Sequence, residues 1–352
     1  MRIPQGYISP AFCIVFSIIS LCILVIAATK FRHQFNKNQS VLLGILMVLS
    51  FLASIPSIPM SCGITISITL AVVIAAIFGP YIGAIANSIV IALQALLFGD
   101  GGLSCLGLNI FNTAFIETYV GFGIYYAITR ISKTKKTEIC GICIGSYISL
   151  LACAIFTGFE CGSQQLFFHD NIGHGIYCPF SIPVTLIIVL VYSVGFWGIL
   201  QTLISGIVLW FLRTHVQSCA KKYSFNTAFN YYDYKPLIFL SAISIFIFPI
   251  LRVVSIIPYG EYSCELIKLN AGYIPSALSS DTLFMGAFPQ YYISTLIAPA
   301  SYIICALIFI CFISVITMFI YVISAKFTTN EKSGTKEKSG TKYDEFEYEI
   351  DD

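Results

Sequence analysis

Charge is what this sequence has least of. Between Asn38 and Gly99 there is no Asp, Glu, Lys, Arg or His, and across 352 residues only 10% are charged while 57% are hydrophobic. A soluble domain cannot cover its surface from such a supply. A membrane-crossing helix takes roughly 20 apolar residues, so the uncharged stretch crosses more than once and the chain reads as a polytopic protein of the cell membrane. Other absences narrow the function. There is no Gly-x4-Gly-Lys-Ser/Thr phosphate loop, no nucleophile elbow and no His-Glu-x-x-His pair, so nucleotide hydrolysis and the common hydrolase chemistries have no motif here. An enzyme working inside the membrane needs paired carboxylates or a nucleophile–base couple within its spans. Only Glu117 lies in one, and the chain is read as a non-enzyme with the lipid bilayer, and no nucleic acid, as its surroundings.

Two breaks divide the uncharged stretch, Ser57–Gly63 and Gly79-Pro80, where proline and glycine favour helix ends. They leave spans at about 41–59, 65–78 and 81–98. A span at about 11–29 precedes them, after a start punctuated by Pro4, Gly6 and Pro10 that argues for a retained N-terminus rather than a signal peptide. Further spans are expected at about 104–128, 140–158, 184–212, 236–257 and 299–325. With this alternation sixteen of the 19 Lys and Arg fall on one side, and only Arg2, Arg252 and Lys268 on the other. Basic loops mark the cytoplasmic side. The expected fold is therefore an all-α membrane helix bundle of about nine transmembrane helices, N-terminus outside and C-terminus cytoplasmic. Beyond it the hexapeptide Glu331–Lys336 recurs at Glu337–Lys342 before an acidic end, and 327–352 reads as a disordered cytoplasmic tail.

Glu117 is the polar group that most needs a reason. An ionisable side chain inside a span costs at least about 2.5–3.5 kcal/mol, so it faces protein or water. Asn109, Thr113 and Glu117 form a polar stripe, with Asn112 beside it. The stripe is either a substrate wall or a hydrogen-bonded seam between helices. Of the thirteen cysteines, Cys140 and Cys143 have a metal or redox spacing but no further ligands nearby, and packing is the expected role. A loop at Phe159–Pro183 is expected outside, carrying Glu160, Cys161, His169, Asp170, His174 and Cys178. Cys161 and Cys178 could form a disulfide there, and the two histidines read as solvated.

Several runs together resemble one family. Met1–Pro10 (MRIPQGYISP), Ile77–Pro80 (IFGP), Leu93–Gly107 (LQALLFGDGGLSCLG) and Asn109–Phe115 (NIFNTAF) are similar, in order, to the CbiM/NikM family, over about residues 1–215. Pro258–Tyr262, Glu265-Leu266, Gly272–Pro275 and Gly286–Tyr291 resemble the two-span accessory region fused behind some members. The resemblance implies three parts: a seven-span capture domain at 1–225, a two-span accessory region with an external loop at 226–326, and the tail. It implies a substrate-capture component of an energy-coupling-factor (ECF) transporter importing divalent cobalt or nickel, the cobalt supplying cobalamin biosynthesis. A membrane coupling subunit and cytoplasmic ATPase subunits would come from other chains, and no cofactor is held permanently; Co2+ or Ni2+ is cargo. In the family the ion is held by the Met1 amine, the amide and imidazole of a His at position two, and a His before the third span.

This sequence departs from that pattern. Arg2 stands at the position of the first His, Ser67 at that of the second, and Gln5 where Asp is usual. A guanidinium offers no lone pair and repels a cation, so it cannot replace an imidazole. The candidate metal ligand that remains is Met1, and the candidate substrate-binding residues are Arg2, Ser67, Asp100, Asn109, Asn112 and Glu117. Met60 and Cys62 are softer donors if they reach the pocket; alternatively Arg2 fills the pocket by pairing with Asp100 or Glu117. The expected function is metal capture at a diverged site, and the alternative is a capture subunit for a different solute or a non-transporting degenerate paralogue.

Overall fold

The computed structural model describes residues 1–30, 37–132, 134–215, 235–245, 264–278 and 286–334. In chain order these form α1 (Pro10–Lys30), α2 (Lys37–Ser54), β1 (Ser57–Pro59), β2 (Thr65–Ser67), α3 (Ala71–Phe78), α4 (Pro80–Phe98) and α5 (Leu106–Asn109). A π-helical turn (Ile110–Ile116) leads into α6 (Glu117–Ile131), followed by α7 (Lys135–Phe167), α8 (Ile182–Val194) and α9 (Phe196–His215). Last come α10 (Lys235–Ile245), α11 (Cys264–Ala271) and α12 (Ala298–Gly334). Among the described residues five helices, α1, α4, α7, α9 and α12, are long and apolar enough to cross a membrane. The chain is a multi-pass membrane protein, and α1 presents Ile14, Ile18, Leu21 and Val25 outward, as a lipid-facing helix does.

The expected span at 65–78 is not a helix. Its first part is β2, which pairs antiparallel with β1 in the register Ser57↔Ser67, Ile58↔Ile66 and Pro59↔Thr65. Only eight residues of helix follow in α3, about 12 Å at 1.5 Å per residue and too short to cross. Ile64–Ile68 alternates β-branched apolar and hydroxyl residues, a pattern that favours strand. Such backbone is tolerated at membrane depth only inside protein. Here β2 is closed on both sides, because Arg2 N donates to Thr65 O (2.8 Å) and Thr65 N returns a bond to Arg2 O (3.0 Å). The turn of the hairpin requires glycine at Gly63: its φ is +89°, and a Cβ there would stand 2.2 Å from the Tyr7 hydroxyl oxygen, which donates to Cys62 O at 2.5 Å.

Three other expected boundaries move. The 104–128 span is interrupted by the π-helical turn. The 140–158 span extends into the 33 residues of α7, about 50 Å of helix, taking in Glu160 and Cys161, which the sequence reading put in a loop. The 184–212 span breaks at Gly195, whose φ of −75° and ψ of −139° end α8. Of the 236–257 span only α10 is described; its remainder and the Pro258–Tyr262 run lie outside the described residues, and of the tail expected to be disordered over 327–352, residues 327–334 continue α12 as helix while 335–352 lie outside them. Where α6 and α7 meet, a Cβ on Gly145 would lie 2.6 Å from Gly121 O, so these two helices touch at their backbones, the close approach small residues permit in membranes.

The segment after α10 covers one end of the bundle. Asn270 Nδ2 donates to Ser61 O (3.2 Å), Gly175 N donates to the Tyr273 hydroxyl (2.7 Å), and Phe288 N donates to Leu97 O (2.6 Å). Tyr291 stacks on Phe98 with ring centroids 4.3 Å apart, and Phe51 of α2 stacks on Phe309 of α12.

Candidate substrate site

The first three residues are threaded into the bundle and buried. The Met1 ammonium donates to Thr113 Oγ1 (3.3 Å), and that hydroxyl donates to Met1 O (2.9 Å). One step along, Ile3 N donates to Asn109 Oδ1 (2.8 Å) while Asn109 Nδ2 donates to Ile3 O (3.1 Å) and to Gly101 O. Asn109 thus reads the chain's backbone as a neighbouring strand would, and its role is to hold the segment. The π-helical turn, one residue wider per turn than an α-helix, lets Asn109, Asn112 and Thr113 serve three different partners.

Arg2 does not remain a free cation. Its Nη1 pairs with Asp100 Oδ2, and its Nη2 donates to Gln94 Oε1 (3.2 Å). Gln94 is fixed in turn by donating to Ser54 Oγ (2.7 Å), and Asp100 accepts a second bond from the Tyr291 hydroxyl (2.9 Å). The space left beside Arg2 is about 10 Å³, the size of a single water molecule, and is lined by Arg2, Ser54, Thr69, Asn87, Gln94 and Thr113. Of the two acids that could receive Arg2, Asp100 is the one it reaches.

Glu117 is fully buried at the start of α6. Its Oε1 accepts from Thr69 Oγ1 and from Gln201 Nε2, each at 2.5 Å, while its Oε2 has no partner. Ser67 Oγ is buried without a partner. Since Arg2 lies opposite Thr65 in an antiparallel bridge, Met1 faces Ile66 and its amine heads along β2 toward Ser67. The register thus aims the amine toward Ser67, and Glu117 accepts from Thr69, two residues farther along the chain. Asn112 turns away from them: its Nδ2 donates to Glu160 Oε2 at 2.5 Å.

Glu160 and Gln201 are the residues sequence reasoning missed. Glu160 is buried on α7, not exposed in a loop. The signal was present: Ser149, Cys153, Thr157, Glu160 and Gln164 recur at helical spacing, and all are buried. Gln201, a lone amide in an apolar run, has the same logic on α9. One further expectation falls away, the disulfide, while His169 and His174 are exposed as a solvated loop requires. Cys161 and Cys178 are buried free thiols rather than a disulfide, and Met60 and Cys62 are buried in the hairpin packing. His174 stacks on Tyr273 at 4.1 Å, and Asp170 Oδ1 accepts from Ile172 N and His174 N, so that loop is held by its own turn. Among the described residues no three His, Cys, Asp or Glu side chains converge on one ion position.

Comparison with known proteins identifies the family. The family described as CbiM, cobalt uptake substrate-specific transmembrane region, matches residues 2–218. The "Probable fused nickel transport protein LarMN" of Lactiplantibacillus plantarum is 32% identical over 188 residues, 53% of this chain and 56% of that protein. The fused nickel transport protein NikMN of Rhodobacter capsulatus is 27% identical over 226 residues, 63% of this chain and 65% of that one. A crystal structure of a transition metal transporter superposes with a TM-score of 0.59 at 32% identity, covering 64% of this chain and 99% of the other. With the family matching well over half of its length, the chain belongs to the CbiM family of cobalt-uptake transmembrane proteins.

Proposed function

We propose that this protein is the substrate-capture membrane component of an ECF-type importer of a divalent transition metal, cobalt or nickel, with a rebuilt site. The observation that carries this reading is the Met1 ammonium, folded into the bundle onto Thr113, four residues before the buried Glu117. A buried amine beside a carboxylate whose second oxygen is unpartnered is a place where a metal ion can exchange for protons. The square-planar nitrogen site favoured by nickel is replaced here, because Arg2 is committed to Asp100 and Ser67 offers a hydroxyl. The chain has no phosphate loop, so the coupling membrane subunit and the ATPases are supplied by other chains, and cobalt captured here would serve cobalamin synthesis.

The test is the cobalt and nickel content of the full-length protein purified from supplemented cells, beside a variant carrying a Gly-Ser extension before Met1. Cobalt is expected in the first and lost from the second. The Arg2–Asp100 pair also favours a second reading, a capture subunit for another solute or a paralogue that no longer transports. Absence of both metals from the unextended protein selects that reading.

A further inference from the structure

We propose that Glu160 and Asn112 form a second cation site, an outer station that takes a divalent ion through oxygen ligands, toward the Phe167 end of α7 from the Met1 amine. This rests on reading the chain as a divalent-cation capture subunit. The two side chains are 7% and 1% exposed and meet through Asn112 Nδ2 and Glu160 Oε2. The remaining oxygens, Asn112 Oδ1 and Glu160 Oε1, both lack a partner. Each is an acceptor, as are the unpartnered Glu117 Oε2 and Gln201 Oε1 nearer the amine. A buried acceptor left without a donor costs about 1–3 kcal/mol, and more when charged. At Glu160 and Asn112 two such oxygens belong to one hydrogen-bonded pair, and the unpartnered Thr157 hydroxyl lies three residues before Glu160 on α7, a set of oxygens that can receive positive charge.

The charges say where it is missing. Arg2 is matched by Asp100, and the Met1 ammonium lies on Thr113, four residues before Glu117. Among the described residues Glu160 has no ion-pair partner, and its carboxylate receives one bond, from Asn112. Cys153 is buried seven residues, or about 10 Å, back along α7 from Glu160. Ser9 adds a further buried hydroxyl without a partner; its backbone N donates to Gln164 Oε1 (2.9 Å), one turn beyond Glu160. Carboxylate, amide and hydroxyl oxygens suit hard, six-coordinate ions. The site would therefore accept hard dications, for which Mn2+ is a suitable probe.

The experiment is Mn2+ binding to the full-length protein in detergent micelles, read by loss of the free-ion electron paramagnetic resonance signal, for the wild type, Glu160→Gln and Asn112→Asp. The wild type is expected to bind. Glu160→Gln, with unchanged elution and melting temperature, is expected to bind at least tenfold more weakly, and Asn112→Asp at least threefold more tightly. Glu160→Gln binding as the wild type does would overturn the site and make Glu160 a neutral acid in a structural pair. Failure of the wild type to bind Mn2+ overturns the site as well, and the capture reading falls with it only if Co2+ and Ni2+ are not bound either. Should Glu160→Gln not fold, Asn112→Asp decides: equal or weaker binding overturns the proposal.

Discussion

Two acidic regions meet the first two residues of the chain, Asp100 at Arg2 and Glu117 near Met1, and are treated in opposite ways. At the Asp100 corner every charge is answered: Arg2 pairs with Asp100, Gln94 supports Arg2, and the Tyr291 hydroxyl takes a further place on the carboxylate. Along the Glu117–Glu160 file each carboxylate has one oxygen bonded and one without a partner. A satisfied buried network fixes structure, whereas a half-satisfied one is held at a cost. The corner therefore locks the N-terminal segment, and the file is where a cation belongs.

The largest effect that would break this comparison is at the corner. Arg2→Met leaves Asp100 without its cation, and loss of one partner of a buried pair costs about 3–5 kcal/mol. Adding Asp100→Asn in the same chain is expected to recover most of that loss, measured by denaturant unfolding in micelles. If Arg2→Met unfolds like the wild type, the corner is not a lock. Tyr291→Phe removes one hydrogen bond to a charged group and is expected to lower stability by about 1.5–3 kcal/mol. It should also expose the Phe288 and Tyr291 segment to protease sooner, because that segment rests on Leu97 and Phe98; cleavage at the wild-type rate would show that the hydroxyl does not hold it.

The smallest effect sharpens the contrast from the other side. Glu117→Gln and Glu160→Gln each replace a buried carboxyl group that the fold only half satisfies. In metal-free protein each is expected to change stability by less than about 1 kcal/mol, and a gain is compatible with a functional site that trades stability for binding. A loss of about 3 kcal/mol in either, seen in the melting curve, would mean that the file is as structural as the corner.

The hydrophobic pattern carried the membrane class, and the motifs carried the family, because a run of uncharged residues has few ways to avoid lipid and the Gly63, Gly79-Pro80 and FGDGG breaks have few ways to remain helical. Periodicity failed at Thr65–Ser67, where a strand hidden in protein looks like part of an apolar span, and at Gly195, one glycine among many. Glu160 was misplaced for a related reason. The end of a span was taken from hydropathy, while α7 continues for two more turns because its polar face is buried against other helices.

What the sequence determined alone was that Arg2 and Ser67 stand where nitrogen ligands are expected, and that Asp100 and Glu117 were the acids available to Arg2. Which acid Arg2 meets, and that Asn112 turns to Glu160 instead of Glu117, was decided only in three dimensions. Hydrophobic length sets which segments enter the membrane, but pairing among buried polar groups depends on distances of a few ångströms. Those distances arise from helix contacts such as Gly121 on Gly145 and from a chain end folded back onto β2.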